Sequence, residues 1–159
     1  MSKRHFLSAI LVVCMIAPVD AAVATTTAQP TGEWVVADGS ARIHIKPCRD
    51  ALWGVIAWVK TPGTDRNNPD PALRNRSVVG MPILLDLKRT QANRWEGEVY
   101  NAKNGRTYSA NISLVSADVL RIEGCVFGGL FCGGENWTRQ AARNTSPSAK
   151  APLPNNICP

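Results

Sequence analysis

Short runs of alternating apolar and polar residues are the feature that most constrains this chain, because a period of two is typical of β-strands. In residues 41–46, Ile43 and Ile45 point to one face, whereas the residues between and beside them are mostly polar. Turn-forming pairs such as Asp38-Gly39 and Asn104-Gly105 lie next to such runs. The runs occupy residues 33–37, 41–46, 51–59, 81–87, 94–100, 107–114, 119–125 and 135–139. Since no segment has a convincing helical period, about eight antiparallel strands in an up-and-down meander are predicted.

The strand count predicts an all-β fold that closes into a barrel, because an open sheet would leave unpaired edges. An eight-stranded barrel is either filled by its own side chains or holds one small ligand. A two-sheet sandwich is the alternative architecture. The chain has 159 residues, of which 45% are hydrophobic and 19% charged, so it is long enough and apolar enough for one folded domain.

The first 24 residues have the order of a secretory signal peptide: a basic start, an apolar run over 6–16, and small residues near Ala21 and Ala24. The apolar run is too short to span a bilayer as a helix. Cys14 would suit a lipoprotein signal only if a small residue preceded it, and Val13 does not fit. We therefore expect a signal peptide over 1–24, a disordered leader over 25–31, a β-barrel domain over 32–140 and an extended tail rich in Pro, Ser and Asn over 141–159. Such a protein would be periplasmic or secreted.

The charge of the chain is modest and dispersed. The formal net charge of +6 falls to about +5 without Lys3, Arg4 and Asp20, which belong to the predicted signal peptide. No basic run reaches the length of a nucleic-acid-binding tail, so no nucleic-acid partner is predicted. A soluble basic surface and an attraction to anionic envelope polymers or lipid head groups are the two interpretations.

Four cysteines remain after the predicted cleavage, and an even count in an oxidising compartment indicates two disulfides. Three pairings are possible. A Gly-rich hairpin between Cys125 and Cys132 would let those two pair, and Cys48 would then bind Cys158. A metal site is the competing interpretation, but the spacing contains no Cys-x-x-Cys and no nearby histidine. No metal or cofactor is predicted.

The long connection over residues 61–80 is the first candidate site, since long ordered loops in compact domains are often functional. Asp65, Asn67 and Asp70 offer oxygens that suit calcium, although Asp and Asn here also suit turn caps around two prolines. Arg74 and Arg76 suit a carboxylate or phosphate ligand, or a structural pairing with Asp65 or Asp70 that closes a barrel end.

Aromatic residues on separate strands form the second candidate group. They would line a ligand cavity in a hollow barrel or form the core of a filled one. Together the two groups give the candidate ligand-binding residues Trp34, Trp58, Asp65, Asn68, Arg74, Arg76, Trp95, Tyr100, Tyr108 and Trp137.

Hydrolytic chemistry finds little support. Without the signal peptide, His44 is the one histidine of the sequence, and it lies on the polar face of its run. The sequence contains no Gly-x-Ser-x-Gly motif. No catalytic residues are therefore predicted, and the protein is not expected to be an enzyme.

An ordered set of motifs resembles the domain of unknown function 2147 family of exported bacterial proteins, over about residues 32–139. The motifs are GEW at 32–34, IHIKPC at 43–48, LWGVIAW at 52–58, DRNNP at 65–69, LRNR at 73–76, GMPIL at 80–84, WEGEVYNAKNGRTY at 95–108 and Gly-Cys through Cys to Trp-x-Arg at 124–139. The resemblance implies a lipocalin-like or streptavidin-like barrel and no established activity. Family members often carry a second cysteine shortly after the one that matches Cys48. Trp53 stands there in this chain, which favours a bond from Cys48 to Cys158.

Two functional hypotheses follow. The first is a non-enzymatic exported barrel that binds a small, partly apolar ligand or a cell-envelope component at a mouth beside the 61–80 loop. The second is a filled barrel that acts as a structural or protein-interaction module through that loop.

Overall fold

The computed structural model describes residues 28–141 and Cys158, so the predicted signal peptide and nearly all of the predicted tail lie outside the described residues. Eight antiparallel strands follow one another in a meander and close into a barrel in the order β1 to β8. The strands are β1 (Gly32–Val35), β2 (Ala41–Cys48), β3 (Ala51–Val59), β4 (Pro82–Gln91), β5 (Arg94–Asn101), β6 (Arg106–Ser116), β7 (Val119–Val126) and β8 (Phe131–Arg139). Two 3-10 turns, at Pro71–Leu73 and Phe127–Gly129, complete the regular structure of this part of the chain. The predicted all-β meander barrel is confirmed, and the sandwich alternative is wrong.

The core forms from the alternation that the sequence shows. Buried apolar side chains of all eight strands contact one another in a single cluster. Ile43 and Ile45 of β2, for example, are about 1% exposed, as the period of two predicts. The largest buried members are Trp34, Trp95 and Trp137, which come from β1, β5 and β8.

Successive turns of a meander alternate between the two ends of the barrel. We call one end the loop end; it holds the turns at 36–40, 60–81, 102–105 and 127–130. We call the other the tail end; it holds the turns at 49–50, 92–93 and 117–118. Residues 28–31, which the sequence assigns to a leader, lie at the tail end, where the Trp34 indole donates to the Pro30 carbonyl at 2.7 Å.

The barrel closes between β1 and β8 through two residue pairs, Trp34 with Arg139 and Val35 with Thr138. Arg139 reinforces this seam, since its guanidinium lies 4.2 Å from the centre of the Trp34 ring and donates to the carbonyls of Gln29 and Thr31. β8 begins at Phe131, four residues before the predicted run, and its residues 131–138 pair with β7. The β7–β8 hairpin therefore extends beyond the seam towards the loop end, and residues 131–137 pair with β7 but not with β1.

Two disulfides join the four cysteines described in the structure. Cys125 binds Cys132 across the β7–β8 hairpin, and Cys48, at the end of β2, binds Cys158. The first bond clamps the loop-end hairpin, and the second fixes a residue of the tail to the tail end. None of the helical segments described is long and apolar enough to cross a membrane.

Candidate functional site

A buried polar network joins the 61–80 loop to β5, and Asp65 is its centre. The Asp65 side chain is fully buried. Its Oδ2 accepts hydrogen bonds from Asn68 Nδ2 at 2.7 Å and from Arg76 Nε and Nη2 at 3.0 and 2.8 Å. Its Oδ1 accepts from the Tyr100 hydroxyl at 2.7 Å. The four donors satisfy a carboxylate that would otherwise be expensive to bury.

The network shifts the acidities of both its buried titratable groups. Burial alone raises the pKa of Asp65, but the hydrogen bonds from Asn68, Tyr100 and Arg76 outweigh burial and leave that pKa below its ordinary value. Burial, followed by the hydrogen bond to the Asp65 carboxylate, raises the pKa of Tyr100 above its ordinary value. Asp65 is therefore held ionised and Tyr100 is held neutral.

The 61–80 loop is folded on itself and packs against the turn between β5 and β6. A backbone bridge pairs Thr64 with Ser77. The Asn67 side chain donates to the Lys103 carbonyl at 2.8 Å. Gly105 lies so close that a Cβ on it would stand 1.8 Å from the Asn67 carbonyl oxygen. The loop thus covers part of the loop end.

The predicted ligand residues of this loop bind one another or the backbone. Asp65, Asn68 and Arg76 belong to the network, and Arg74 Nε donates to the Asn68 carbonyl at 2.8 Å. Asp70 Oδ1 accepts from the Ala72 amide, which makes it a turn cap. The Asp65 carboxylate and one Asp70 oxygen thus accept hydrogen bonds from the protein itself. This is the arrangement expected if these residues cap turns and pair with arginine.

Three of the four candidate tryptophans meet in the interior. Trp34, Trp95 and Trp137 belong to the core cluster, whereas Trp58 is 38% exposed with the Arg42 guanidinium 4.9 Å from its ring centre. An irregularity in the β2–β3 register explains the difference. Ile43 pairs with Ile56 but Arg42 pairs with Trp58, so a bulge at Ala57 places Trp58 beside an outward residue.

The two candidate tyrosines have different environments. Tyr100 is buried within the network, whereas Tyr108 is half-buried and its hydroxyl accepts from Asn104 Nδ2 at 2.8 Å.

The inner face of the β7–β8 hairpin is open beyond the seam, and sequence reasoning missed it. Trp137 is buried, and its indole donates to Glu135 Oε1 at 2.6 Å, so the two side chains share one face. By alternation Gly133 and Phe131 continue that face, yet Phe131, Gly133 and Glu135 are all exposed. A Cβ built on Gly133 meets no atom within 4 Å.

We call this the hairpin mouth: Val126, Phe131, Gly133 and Glu135, with Trp137 at its base. Glu135 stands two residues before Trp137, so the sequence places an acidic side chain on the same face as that tryptophan, but it does not show that β8 extends beyond the seam.

Three comparisons with known proteins bear on the fold. Residues 32–139 match the family described as an uncharacterized protein conserved in bacteria, DUF2147, which confirms the resemblance read from the motifs. No curated protein shows significant sequence similarity to the chain. Among solved structures, protein HP1028 from the human pathogen Helicobacter pylori, described as belonging to the lipocalin family, matches with a TM-score of 0.67 and 21% identity. The match covers 73% of this chain and 86% of that one, and at this identity it shows the fold alone.

Proposed function

This chain belongs to the DUF2147 family of bacterial proteins, and we propose that it is an exported barrel that binds one small, partly apolar ligand at the hairpin mouth. The observation that carries the proposal is the open inner face of β8. Trp137 forms the base of that face, Gly133 leaves room beside it, and the apolar Val126 and Phe131 stand at its rim. Ligand sites are commonly apolar concavities with a few placed polar groups.

Glu135 supplies the polar group and defines the class of ligand. A carboxylate has two oxygens and about four acceptor positions, and the Trp137 indole occupies one of them. The remaining positions are free to accept from a ligand, since Glu135 is exposed. A ligand with an apolar body and an amine or hydroxyl donor fits this arrangement.

Two further observations support the proposal. Eight-stranded barrels of lipocalins hold one small ligand, and the structural neighbour is described as a lipocalin-family protein. Disulfides form and persist in oxidising compartments, and the two disulfides of this chain support its export to the periplasm or beyond.

The test combines native mass spectrometry with binding of N-phenyl-1-naphthylamine, a neutral apolar dye that carries an amine. The protein is recovered in oxidised form from a bacterial periplasm. We expect a reproducible adduct that leaves on denaturation, or saturable dye binding, and we expect Gly133→Leu to abolish either one. Gly63→Leu is the matched control, because a Cβ at Gly63 also meets no atom within 4 Å and the residue belongs to the 61–80 loop and not to the β7–β8 hairpin.

The charge of Glu135 is tested separately. Glu135→Gln should weaken dye binding by about tenfold, because a charged acceptor makes roughly twice as strong a hydrogen bond as a neutral one. Glu98→Gln on the exposed face of β5 should leave binding unchanged. Binding that survives Gly133→Leu at full strength would overturn the proposed site and favour a filled barrel that acts through the 61–80 loop.

A further inference from the structure

The tip of the β7–β8 hairpin carries an unusual concentration of exposed apolar side chains. Seven large hydrophobic side chains of the described residues are exposed, and four of them, Val126, Phe127, Leu130 and Phe131, lie at this tip. Phe127 and Leu130 are 77% and 78% exposed. The other three, Trp58, Leu73 and Val115, lie apart from one another in sequence. A contiguous apolar patch of this kind marks an interaction surface.

The tip is held in shape before it meets any partner. The Cys125–Cys132 disulfide clamps its base, and the rings of Phe127 and Phe131 contact edge to face at 6.1 Å between centroids. No charged residue stands between Glu123 and Glu135 in the sequence. A preorganised tip loses little conformational entropy when it binds.

The loop end from which the tip projects is basic. Its turns and their first flanking strand residue hold six cationic residues, Lys60, Arg66, Arg74, Arg76, Lys103 and Arg106, and three acidic ones, Asp38, Asp65 and Asp70. At the tail end, the turns at 49–50, 92–93 and 117–118, counted with the same flanking residues, hold two cations, Arg49 and Arg94, against two acidic residues, Asp50 and Asp118. The net charge of the described turns is therefore positive only on the side of the apolar tip.

The basic residues reach the level of the tip. Ser109 of β6 pairs with Cys125, and at about 3.3 Å per residue Arg106 lies about 10 Å beyond that pair, beside the hairpin turn. Lys103 lies in the adjoining turn and is exposed. The apolar tip with cations beside it complements a surface whose outer layer is anionic and whose interior is apolar.

We propose that the loop end docks on an anionic lipid bilayer, with Phe127 and Leu130 in the headgroup–acyl boundary and Lys103 and Arg106 against lipid phosphates. Interfacial binding of this type scales with the buried apolar area and with the attraction to anionic lipids. One short tip gives reversible docking and not stable insertion. The two docking residues, Phe127 and Leu130, lie in the turn and are not part of the hairpin mouth, although Phe127 contacts Phe131 at the rim of that mouth.

The experiment is co-sedimentation of the oxidised protein, recovered from a periplasm, with two kinds of vesicle. One kind is phosphatidylcholine mixed with phosphatidylglycerol, and the other is phosphatidylcholine alone. We expect binding to the anionic vesicles, weaker binding to the neutral ones, and a decline of binding as salt is added. The double variant Phe127→Ser with Leu130→Ser should reduce the partition coefficient at least tenfold.

Matched variants separate the tip from general exposure and charge. Val115→Ser removes an apolar side chain that is 64% exposed near the tail end, and it should leave binding unchanged. Lys103→Glu with Arg106→Glu should weaken binding to anionic vesicles, whereas Lys88→Glu, near the tail end of β4, should have a much smaller effect.

Two results would overturn the proposal. The first is equal sedimentation of the wild type and the tip variant. The second is an apolar contact with protein instead of lipid, seen as a concentration-dependent dimer by light scattering that the tip variant abolishes while vesicle binding is absent. Retained dye binding by the tip variant would show that the hairpin mouth is intact and that only the docking surface has been lost.

Discussion

Asp65 holds the 61–80 loop against the loop end of the barrel. It receives four hydrogen bonds from three side chains, and two of the donors, Asn68 and Arg76, belong to its own loop. The third, Tyr100, belongs to β5, so the carboxylate ties the loop to the barrel. When one partner of such a buried hydrogen bond is removed, the other is left without a bond, and this destabilises the fold by more than the net contribution of the bond itself.

We expect Asp65→Asn to destabilise the protein by about 2 to 4 kcal/mol. The side-chain amide introduced by this substitution places its NH₂ group against donors that need an acceptor. The partial exposure of Arg76 limits the loss of stability. Urea unfolding followed by tryptophan fluorescence measures the change. A loss below about 0.5 kcal/mol, the range of ordinary surface substitutions, would contradict the structural role of the network.

Tyr100→Phe tests the same network through its pH dependence. A carboxyl group whose folded pKa is lowered stabilises the fold above its unfolded pKa, and that stability is lost as pH falls through the folded pKa. Without the Tyr100 hydroxyl the pKa of Asp65 rises towards its ordinary value. We therefore expect a loss of about 1 to 2 kcal/mol at neutral pH and acid unfolding at higher pH than in the wild type.

Tyr108→Phe is the control for this prediction, because its hydroxyl accepts from the exposed Asn104 and has no hydrogen bond to Asp65. It should leave the midpoint of acid unfolding in place. The same acid midpoint for Tyr100→Phe and the wild type would contradict the assigned hydrogen bond.

At the residue scale the sequence indicates which side chains are able to form hydrogen bonds or ion pairs, but seldom which residues they bind. The pairing of Arg76 with Asp65 was one of two interpretations available from residue types, and the structure realises it. Tyr100 is 35 residues from Asp65, and only the folded barrel brings the two together. The outward position of Trp58 depends on a bulge, and an unbroken apolar run such as 51–59 contains no signal of where a bulge falls.

At the scale of elements, the docking of the 61–80 loop depends on the turn between β5 and β6. Gly105 has φ +69° in that turn, a conformation that L side chains rarely adopt, and a Cβ there would stand 1.8 Å from the Asn67 carbonyl oxygen. Gly39, in the turn between β1 and β2, has nearly the same φ of +68°, and a Cβ there meets nothing within 4 Å. The two glycines form a matched pair.

We expect Gly105→Ala to lower the free energy of unfolding by at least about 1 kcal/mol more than Gly39→Ala. Both substitutions place alanine at an unfavourable positive φ, but only Gly105→Ala displaces the loop. Hydrogen exchange at the Asp65 and Asn68 amides, which bond within the loop, should accelerate in Gly105→Ala alone. Equal losses of stability with unchanged exchange would show that the loop is not held by this turn.

The strands themselves were predictable, because alternation survives wherever one face of a strand is buried. Two strands extend four residues beyond their predicted runs: β4 continues to Gln91 past the predicted end at 87, and β8 begins at Phe131 before the predicted start at 135. Residues 131–134 are Phe-Cys-Gly-Gly, which have no polar–apolar alternation, and their pairing with β7 is fixed by a register that includes Cys125 opposite Cys132. Glycines leave strand register weakly specified by sequence, so the extension that creates the hairpin mouth could not be predicted from the residues.

At the scale of the whole molecule, the two ends of the barrel carry different features. The seam between β1 and β8, the residues 28–31 and the bond to Cys158 lie towards the tail end, and together they close and fasten the barrel. The hairpin mouth, the apolar tip and the basic turns lie towards the loop end. The fold could be predicted because it follows from patterns along each strand. The mouth could not, because it depends on how far each strand extends towards the loop end.

The two disulfides should therefore differ in what they contribute. Cys48 and Cys158 are separated by 110 residues and Cys125 and Cys132 by 7, and a longer closed loop restricts the unfolded chain more. In the chain-entropy description the long loop contributes about 5 kcal/mol and the short one about 2 to 3 kcal/mol. We expect Cys48→Ser with Cys158→Ser to lower the free energy of unfolding in urea by the larger amount, and to leave dye and vesicle binding intact at temperatures where the variant is folded.

Cys125→Ser with Cys132→Ser should show the reverse pattern, with a smaller loss of stability and weaker vesicle binding, because the tip is then no longer clamped. Thiol titration of each unfolded variant confirms that the remaining pair is oxidised. Should the short-loop variant lose more stability than the long-loop variant, the hairpin disulfide would be a main support of the barrel. The division of the molecule into a fastening end and a binding end would then be wrong.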